Sequence, residues 1–296
     1  MQKIPLSQLI LLGIHIHIYD KLIMLQKVVF TDIDGTLIDL ISGKYGESDK
    51  LIYTLRENNV PIVLCSAKTL AEQNKIRDDL GLMDPFIVEN GGAIIIPKNY
   101  FDFQFDIEQT RIKEEQGYII IELGESTREI RTKLAEIKKK LKIEFKGVAD
   151  VSIEELSRLA TMPIDYAKRM SEREYGETIL QIKKSDIPTF TTSIEKMGIK
   201  VIHGGRFFDV TMGTDKGKAV SILINLFRKK YRNQIKFFGV GDSANDASML
   251  KLMDVPMVVQ KPDSSWSELE IKNVIRLKGI GPEGWKSAFD KIMEMN

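Results

Sequence analysis

The sequence predicts an α/β protein in which a parallel-sheet core is interrupted by an inserted second α/β unit. Three observations lead there. Short apolar runs alternate with segments of helical periodicity in residues 27–90, and again in residues 216–262. Polar residues gather at the carboxyl ends of those runs, where open α/β sheets keep their sites. Between the two stretches the chain becomes more charged, and long helical segments break the alternation.

Residues 27–31 read as a first core strand running into the acids of TDIDGT (31–36). DKLIYTLRENN (49–59) has apolar positions at helical spacing, and VPIVLCSA (60–67) is a short apolar run ending in small polar residues. KTLAEQNKIRDDLGL (68–82) is helical with a glycine near its end, and PFIVEN (85–90) is a third strand followed by Gly91–Gly92. Strand, helix, strand, helix, strand in that order predicts parallel pairing. In the middle, TREIRTKLAEIKKKL (127–141) and SIEELSRLA (152–160) read as helices, YIIIEL (118–123) and ETILQI (177–182) as strands of a separate antiparallel or mixed sheet. KVIHGGRFFDVTM (200–212) reads as a hairpin around Gly204–Gly205. The alternation then resumes: a helix at 216–231, a strand with its loop at 235–243, a short helix at 245–253 and a strand at 255–262. Residues 24–92 and 213–296 therefore form the core, and residues 93–212 the insert.

Residues 1–23 stand apart. Ile14–Ile18 alternates with His15 and His17 in the manner of an edge strand, while the plainer reading takes Met24 as the natural start and the rest as an upstream extension. The apolar run is broken at the two histidines and no small-residue cleavage site follows, which argues against a signal peptide. Of 296 residues, 43% are hydrophobic and 29% charged, an ordinary soluble mix. A formal charge of +1 gives no sign of a nucleic-acid partner. No apolar run reaches the roughly 18 residues of a membrane span. Cys65 is the one cysteine, so no intrachain disulfide forms, and a reducing cytoplasm is expected. Monomer and homodimer both fit.

Charged clusters end the core strand–loop junctions: Asp32 with Asp34, Asp215 with Lys216, and Asp242 with Asp246. Unpaired buried carboxylates are costly, so acids converging from separate strands imply a bound cation. An oxygen-only, thiolate-free set suits Mg²⁺, with the lysine neutralising further charge. The combination points to phosphoryl transfer. One carboxylate can attack phosphorus, and a second, slightly displaced, can protonate the departing alcohol and then activate water. Ser66 supplies a hydroxyl for a phosphoryl oxygen, or caps the following helix.

TDIDGT (31–36), Ser66 in CSAKT, Lys216 in TDKGKA and GDSANDASML (241–250) resemble the four motifs of the haloacid dehalogenase superfamily of phosphatases. The resemblance implies a Rossmann-like core sheet with a large inserted α/β cap. It implies Asp32 as nucleophile and Asp34 as general acid/base. Mg²⁺ would be held by Asp32, the main-chain carbonyl of Asp34, and Asp242. Asp246 would support the metal shell, Asn245 would contact the phosphoryl region, and Lys68 would add positive field. CSAKTLAEQ (65–73), FIVENGGAIIIPKNYF (86–101), EREYGETI (172–179), GGRFFDVTMGTDKGKA (204–219) and GPEGW (281–285) are further similar to the mannosyl-3-phosphoglycerate phosphatase family. That similarity covers residues 27–290. It implies hydrolysis of 2-O-mannosyl-3-phosphoglycerate to mannosylglycerate, a compatible solute. The alternatives are the glucosyl analogue or another sugar phosphate, and less readily a phosphomutase or a catalytically silent interaction domain.

A substrate carrying a phosphate, a carboxylate and a sugar needs more than the core motifs. Arg206, Arg169 and Arg173 are candidates to grip the carboxylate by paired hydrogen bonds, against the ordinary reading of each as a solvated side chain. Glu89 and Asn90 could read sugar hydroxyls. Gly91 and Gly92 could present backbone donors, let the cap move, or form only a turn. Trp285, in GPEGW, reads as an anchor for the C-terminal segment more readily than as a sugar platform.

Overall fold

The computed structural model describes residues 25–105, 107, 110–203 and 207–295. The expected strand at 14–18, the Gly204–Gly205 turn and Arg206 lie outside the described residues. The first part of the chain forms β1 (Gln26–Thr31), α1 (Ser48–Glu57), β2 (Ile62–Leu64), α2 (Leu70–Leu80) and β3 (Phe86–Val88). The middle forms β4 (Ala93–Pro97), β5 (Arg111–Glu115), β6 (Tyr118–Glu122), α3 (Thr127–Leu141), β7 (Phe145–Gly147), α4 (Ile153–Ala160), α5 (Ile164–Ser171), β8 (Gly176–Ile182), α6 (Ile187–Glu195), β9 (Ile199–His203) and β10 (Phe208–Met212). The last part forms α7 (Lys216–Lys230), β11 (Ile235–Gly241), α8 (Ala247–Leu250), β12 (Val255–Gln260), β13 (Ile275–Ile280) and α9 (Pro282–Glu294).

The core sheet has the order β13-β12-β11-β1-β2, and every pair in it is parallel. β1 lies between β2 and β11, with Val29 opposite Ile62 and Val28 opposite Phe237. Its side chains alternate between two cores. Val29 packs with Ile62, Leu64 and Phe238; Val28 and Phe30 pack with Val63, Phe227 and Phe237. Burial on both faces explains why residues 28–30 are an unbroken apolar run.

The third strand departs from the expected parallel pairing. β3 pairs antiparallel with β4, in a sheet of order β3-β4-β6-β5. Only a single parallel bridge, Cys65 to Ile87, ties β3 to β2. The reason is local: the turn at residues 89–92 reverses the chain at once, and the apolar run AIIIP forms the next strand. Residues 93–122, assigned to the insert, therefore extend a sheet that begins with β3.

A third, antiparallel sheet has the order β7-β8-β10-β9. Ile130, Leu134 and Ile137 of α3 and Phe190 and Ile194 of α6 pack with Ile179 and Val210 of this sheet. A smaller cluster joins Leu180 to Leu156 of α4 and to Ala167 and Met170 of α5. GPEGW runs into a helix: Pro282 opens α9, where a missing N–H costs nothing. Trp285 is fully buried, and its Nε1 donates to Thr31 Oγ1 at 3.0 Å.

Candidate active site

Three core strands deliver acidic or hydroxyl side chains at their carboxyl ends. Asp32 follows β1, Ser66 follows β2, and Asp242 follows β11. Lys216 opens α7, where the side chain of Asp215 caps the helix by accepting from the N–H groups of Gly217 and Lys218. Lys216 Nζ donates to Asp32 Oδ1 and Asp246 Oδ1, each at 2.7 Å. The other oxygen of Asp246 accepts the N–H groups of Asp242 at 3.1 Å and Ser243 at 3.2 Å. Asp246 thus fixes the Asp242 loop from behind. Gly35 has φ +78°, and a Cβ there would lie 3.0 Å from Asp242 Oδ2. The glycine lets the chain turn out of β1 and brings the two loops together.

Asp32, Asp242 and Asp246 are buried, with carboxylate oxygens within 4.8 Å of one another. Burial pushes Asp32 well above the usual carboxylate range; Lys216 pulls the other way, while Asp246 and Asp242 add to the rise. Asp242 is pushed up to about 7 by burial and then by Asp246. Three acids around one ammonium are short of positive charge. The set is all oxygen, with no thiolate or imidazole, and it fits a hard divalent cation. Both oxygens of Asp246 already have partners, so Asp32 and Asp242 offer the freer ligand atoms.

Asp34 sits at the mouth, where Lys68 Nζ lies 3.0 Å from its Oδ1 and 3.8 Å from Glu72 Oε1. Burial draws the Lys68 ammonium down, but Asp34 and Glu72 outweigh it and the net shift is upward. The helix cap expected of Ser66 belongs to Thr69, which forms a reciprocal capping box with Glu72. Among the described residues, Ser66 Oγ accepts only the N–H of Lys68, at 3.2 Å. Cys65 is buried, and burial raises its thiol far above the nucleophilic range.

A cavity of about 430 Å³ opens on this cluster. Asp32, Asp34, Ser66, Lys68, Asp242, Asn245 and Arg173 line it. Lys216 and Asp246 stand behind the wall as supports. The opposite wall comes from the third sheet and its helices: Thr178, Asp209, Phe207, Met162 and Met170. Sequence reasoning missed these, along with Glu72 and Lys261. Lys261 had a readable signal, since it follows a core strand; Thr178 and Asp209 had none before the pairing of β8 with β10 was known.

The remaining predicted residues lie off the lining. Arg169 offers its carbonyl to Thr69 Oγ1 at 2.9 Å, and its guanidinium lies over the Tyr166 ring at 4.7 Å. Glu89 is buried and accepts the N–H groups of Glu174 and Tyr175 at 2.8 and 3.0 Å. Asn90 is buried with its N–H on Ser66 O, and the N–H groups of Gly91 and Gly92 donate to carbonyls of the same turn. These four residues brace the site from below.

A model of the haloacid dehalogenase-like hydrolases matches residues 29–264. The chain belongs to that family. The hydrolase is 34% identical over 267 residues to the glucosyl-3-phosphoglycerate/mannosyl-3-phosphoglycerate phosphatase of Persephonella marina, covering 90% of this chain and 97% of that one. It is 33% identical over 255 residues to the mannosyl-3-phosphoglycerate phosphatase of Pyrococcus horikoshii, covering 84% of this chain and 99% of that one. Its fold matches the crystal structure of Thermoplasma acidophilum 0175 with a TM-score of 0.62 at 16% identity, over 92% of this chain and 100% of the other. The α/β fold with a parallel core sheet and an inserted unit is thus that of the haloacid dehalogenase-like hydrolases.

Proposed function

We propose that this hydrolase removes the phosphate of 2-O-mannosyl-3-phosphoglycerate to give mannosylglycerate, with the glucosyl analogue as a second substrate. The observation that carries the reading is the convergence of Asp32, Asp34, Ser66 and Lys68 on one cavity that the buried Arg173 also lines. Beside the residues suited to phosphate chemistry stands a guanidinium suited to a carboxylate. The relative from Persephonella marina carries both sugars in its name, which supports the second substrate. Production of a compatible solute in the cytoplasm goes with this reading.

Asp32 attacks phosphorus through its carboxylate while Lys216 holds the other side of that carboxylate in place. The Asp32–phosphorus bond forms as the ester bond to the glycerate breaks, and Asp34 gives its proton to the departing oxygen. In the second half, Asp34 takes a proton from water as that water attacks phosphorus and frees Asp32. Ser66 and Asn245 donate to the phosphoryl oxygens. Mg²⁺ held by Asp32, Asp242 and the carbonyl of Asp34 would neutralise charge on the transferring group. The unit built on the third sheet, acting as a cap, keeps bulk water off the phosphorylated Asp32.

The test is a phosphate-release panel with Mg²⁺ comparing mannosyl- and glucosyl-3-phosphoglycerate with simple sugar monophosphates. The glycosyl phosphoglycerates are expected to be hydrolysed best. Faster turnover of sugar monophosphates would reject the substrate, and isomerised phosphate without free phosphate would indicate a mutase. Asp32→Asn is expected to abolish turnover while the circular dichroism spectrum is unchanged; retained activity removes Asp32 from the role of nucleophile.

A further inference from the structure

Arg173 is ion-paired with Glu89 and Asp209 but sparsely hydrogen-bonded. Its side chain is 6% exposed, and among the described residues its one hydrogen bond is Nη1 to Ala67 O at 3.3 Å. Glu89 Oε2 and Asp209 Oδ1 lie 3.9 and 3.8 Å away, outside hydrogen-bond range, and Nε has no partner. A guanidinium has five donors, so most of its capacity is left for a ligand in the cavity it lines.

What holds Arg173 there comes from the core. Glu89 accepts the N–H groups of Glu174 and Tyr175, the two residues that follow Arg173. Both carboxylate oxygens of Glu89 are engaged on that turn. The backbone of Glu89 is in the left-handed region at φ 48°, followed by Asn90 at 57°. Its own N–H donates to Lys68 O at 3.0 Å, and that of Asn90 to Ser66 O at 2.9 Å. The bond from Arg173 to Ala67 O closes the ring. The phosphate-side loop, the turn at Glu89 and the guanidinium are therefore joined by hydrogen bonds only a residue or two apart.

We infer that Glu89 is a positioning residue for substrate carboxylate: by fixing the turn after Arg173 to the Ser66–Lys68 loop, it sets the separation at which the site accepts a phosphate and a carboxylate in one molecule. The inference rests on the proposed glycosyl phosphoglycerate substrate, and Glu89 acts only through Arg173.

The experiment measures kcat/KM for mannosyl-3-phosphoglycerate and for p-nitrophenyl phosphate, which has no carboxylate, and takes their ratio. Arg173→Ala and Glu89→Ala are each expected to lower that ratio about tenfold or more, through KM, as expected for loss of one charge-assisted contact. The double variant is expected to fall no further, because the two act as a unit. Glu89→Gln keeps one acceptor oxygen and is expected to fall less; if the alanine variant does not fold, the glutamine variant carries the test. An equal loss on both substrates at Glu89, an unchanged ratio, or additive losses in the double variant overturns the inference. A wild-type enzyme that does not prefer the glycosyl phosphoglycerate, or an Arg173→Ala ratio that does not move, overturns the proposed substrate reading itself. A fall at Arg173 with none at Glu89 overturns the positioning role alone.

Discussion

Lys216 is buried and makes two hydrogen bonds of 2.7 Å, and its whole role follows from them. Remove the ammonium and Asp32 and Asp246 face one another with nothing between. Lys216→Met is expected to lower turnover by about 10²–10³-fold, as for loss of one preorganised donor, and to cost about 3–5 kcal/mol of stability, read by urea unfolding. A turnover within a few-fold of wild type would show that the cluster does not need its lysine. At this scale the sequence was readable wherever chemistry sits at a strand end. Asp32, Asp34, Ser66 and Asp242 all follow short apolar runs, and a parallel sheet places such positions side by side. Glu89 also follows a strand, but its burial under the next turn depends on a reversal that no periodicity announces. Its side chain therefore faces cap backbone instead of cavity.

The turn at residues 89–92 does more than connect β3 to β4. Gly91 has φ +92°, and a Cβ on it would sit 2.4 Å from the carbonyl oxygen of Asp215, the residue that caps α7. Gly91→Ala is expected to cost about 2–4 kcal/mol, from overpacking and a forbidden backbone angle together, and to displace Lys216 enough to lower kcat. A thermal melt and a rate on the same sample check both. At the other end of the chain, α9 supports β1. Trp285 Nε1 donates to Thr31 Oγ1 at 3.0 Å, and that hydroxyl donates on to Asp32 O at 2.8 Å. Trp285→Phe keeps most of the ring but leaves a buried hydroxyl one donor short, with an expected loss of about 1–3 kcal/mol; a urea midpoint equal to wild type would contradict it. β1, β2, β11 and β12 of the core sheet were legible as short apolar runs, and α3 and α7 by a 3.6-residue period that persists across them; β13 was not read. β7 is three residues long and α5 eight, too short for a period to show, while α9 is long enough but opens on Pro282 and Gly284, which read as a loop signal.

Across the whole molecule, a cation held by the three buried acids would couple its binding to folding. Mg²⁺ is expected to raise the melting temperature, adding about 2.7 kcal/mol at a hundredfold excess over its dissociation constant, and EDTA to reverse the gain. Asp242→Asn is expected to blunt that response; a shift equal to wild type would place the ion elsewhere. The division into a core and an insert was legible because the alternation stops and restarts. How the middle of the chain divides between two sheets was not, since that is set by antiparallel pairings between segments with similar apolar content. The place of β1 has a last consequence, for the order of events during synthesis. One neighbour, β2, is made soon after it, but the other, β11, and the Trp285 beneath it are encoded roughly two hundred residues or more downstream, so closure of this sheet is a non-local and late step. A nascent chain that stops short of β11 would expose an open strand edge on β1 and carry no assembled reaction centre. Activity would thus appear only after β11 and the Asp242 loop have emerged from the ribosome.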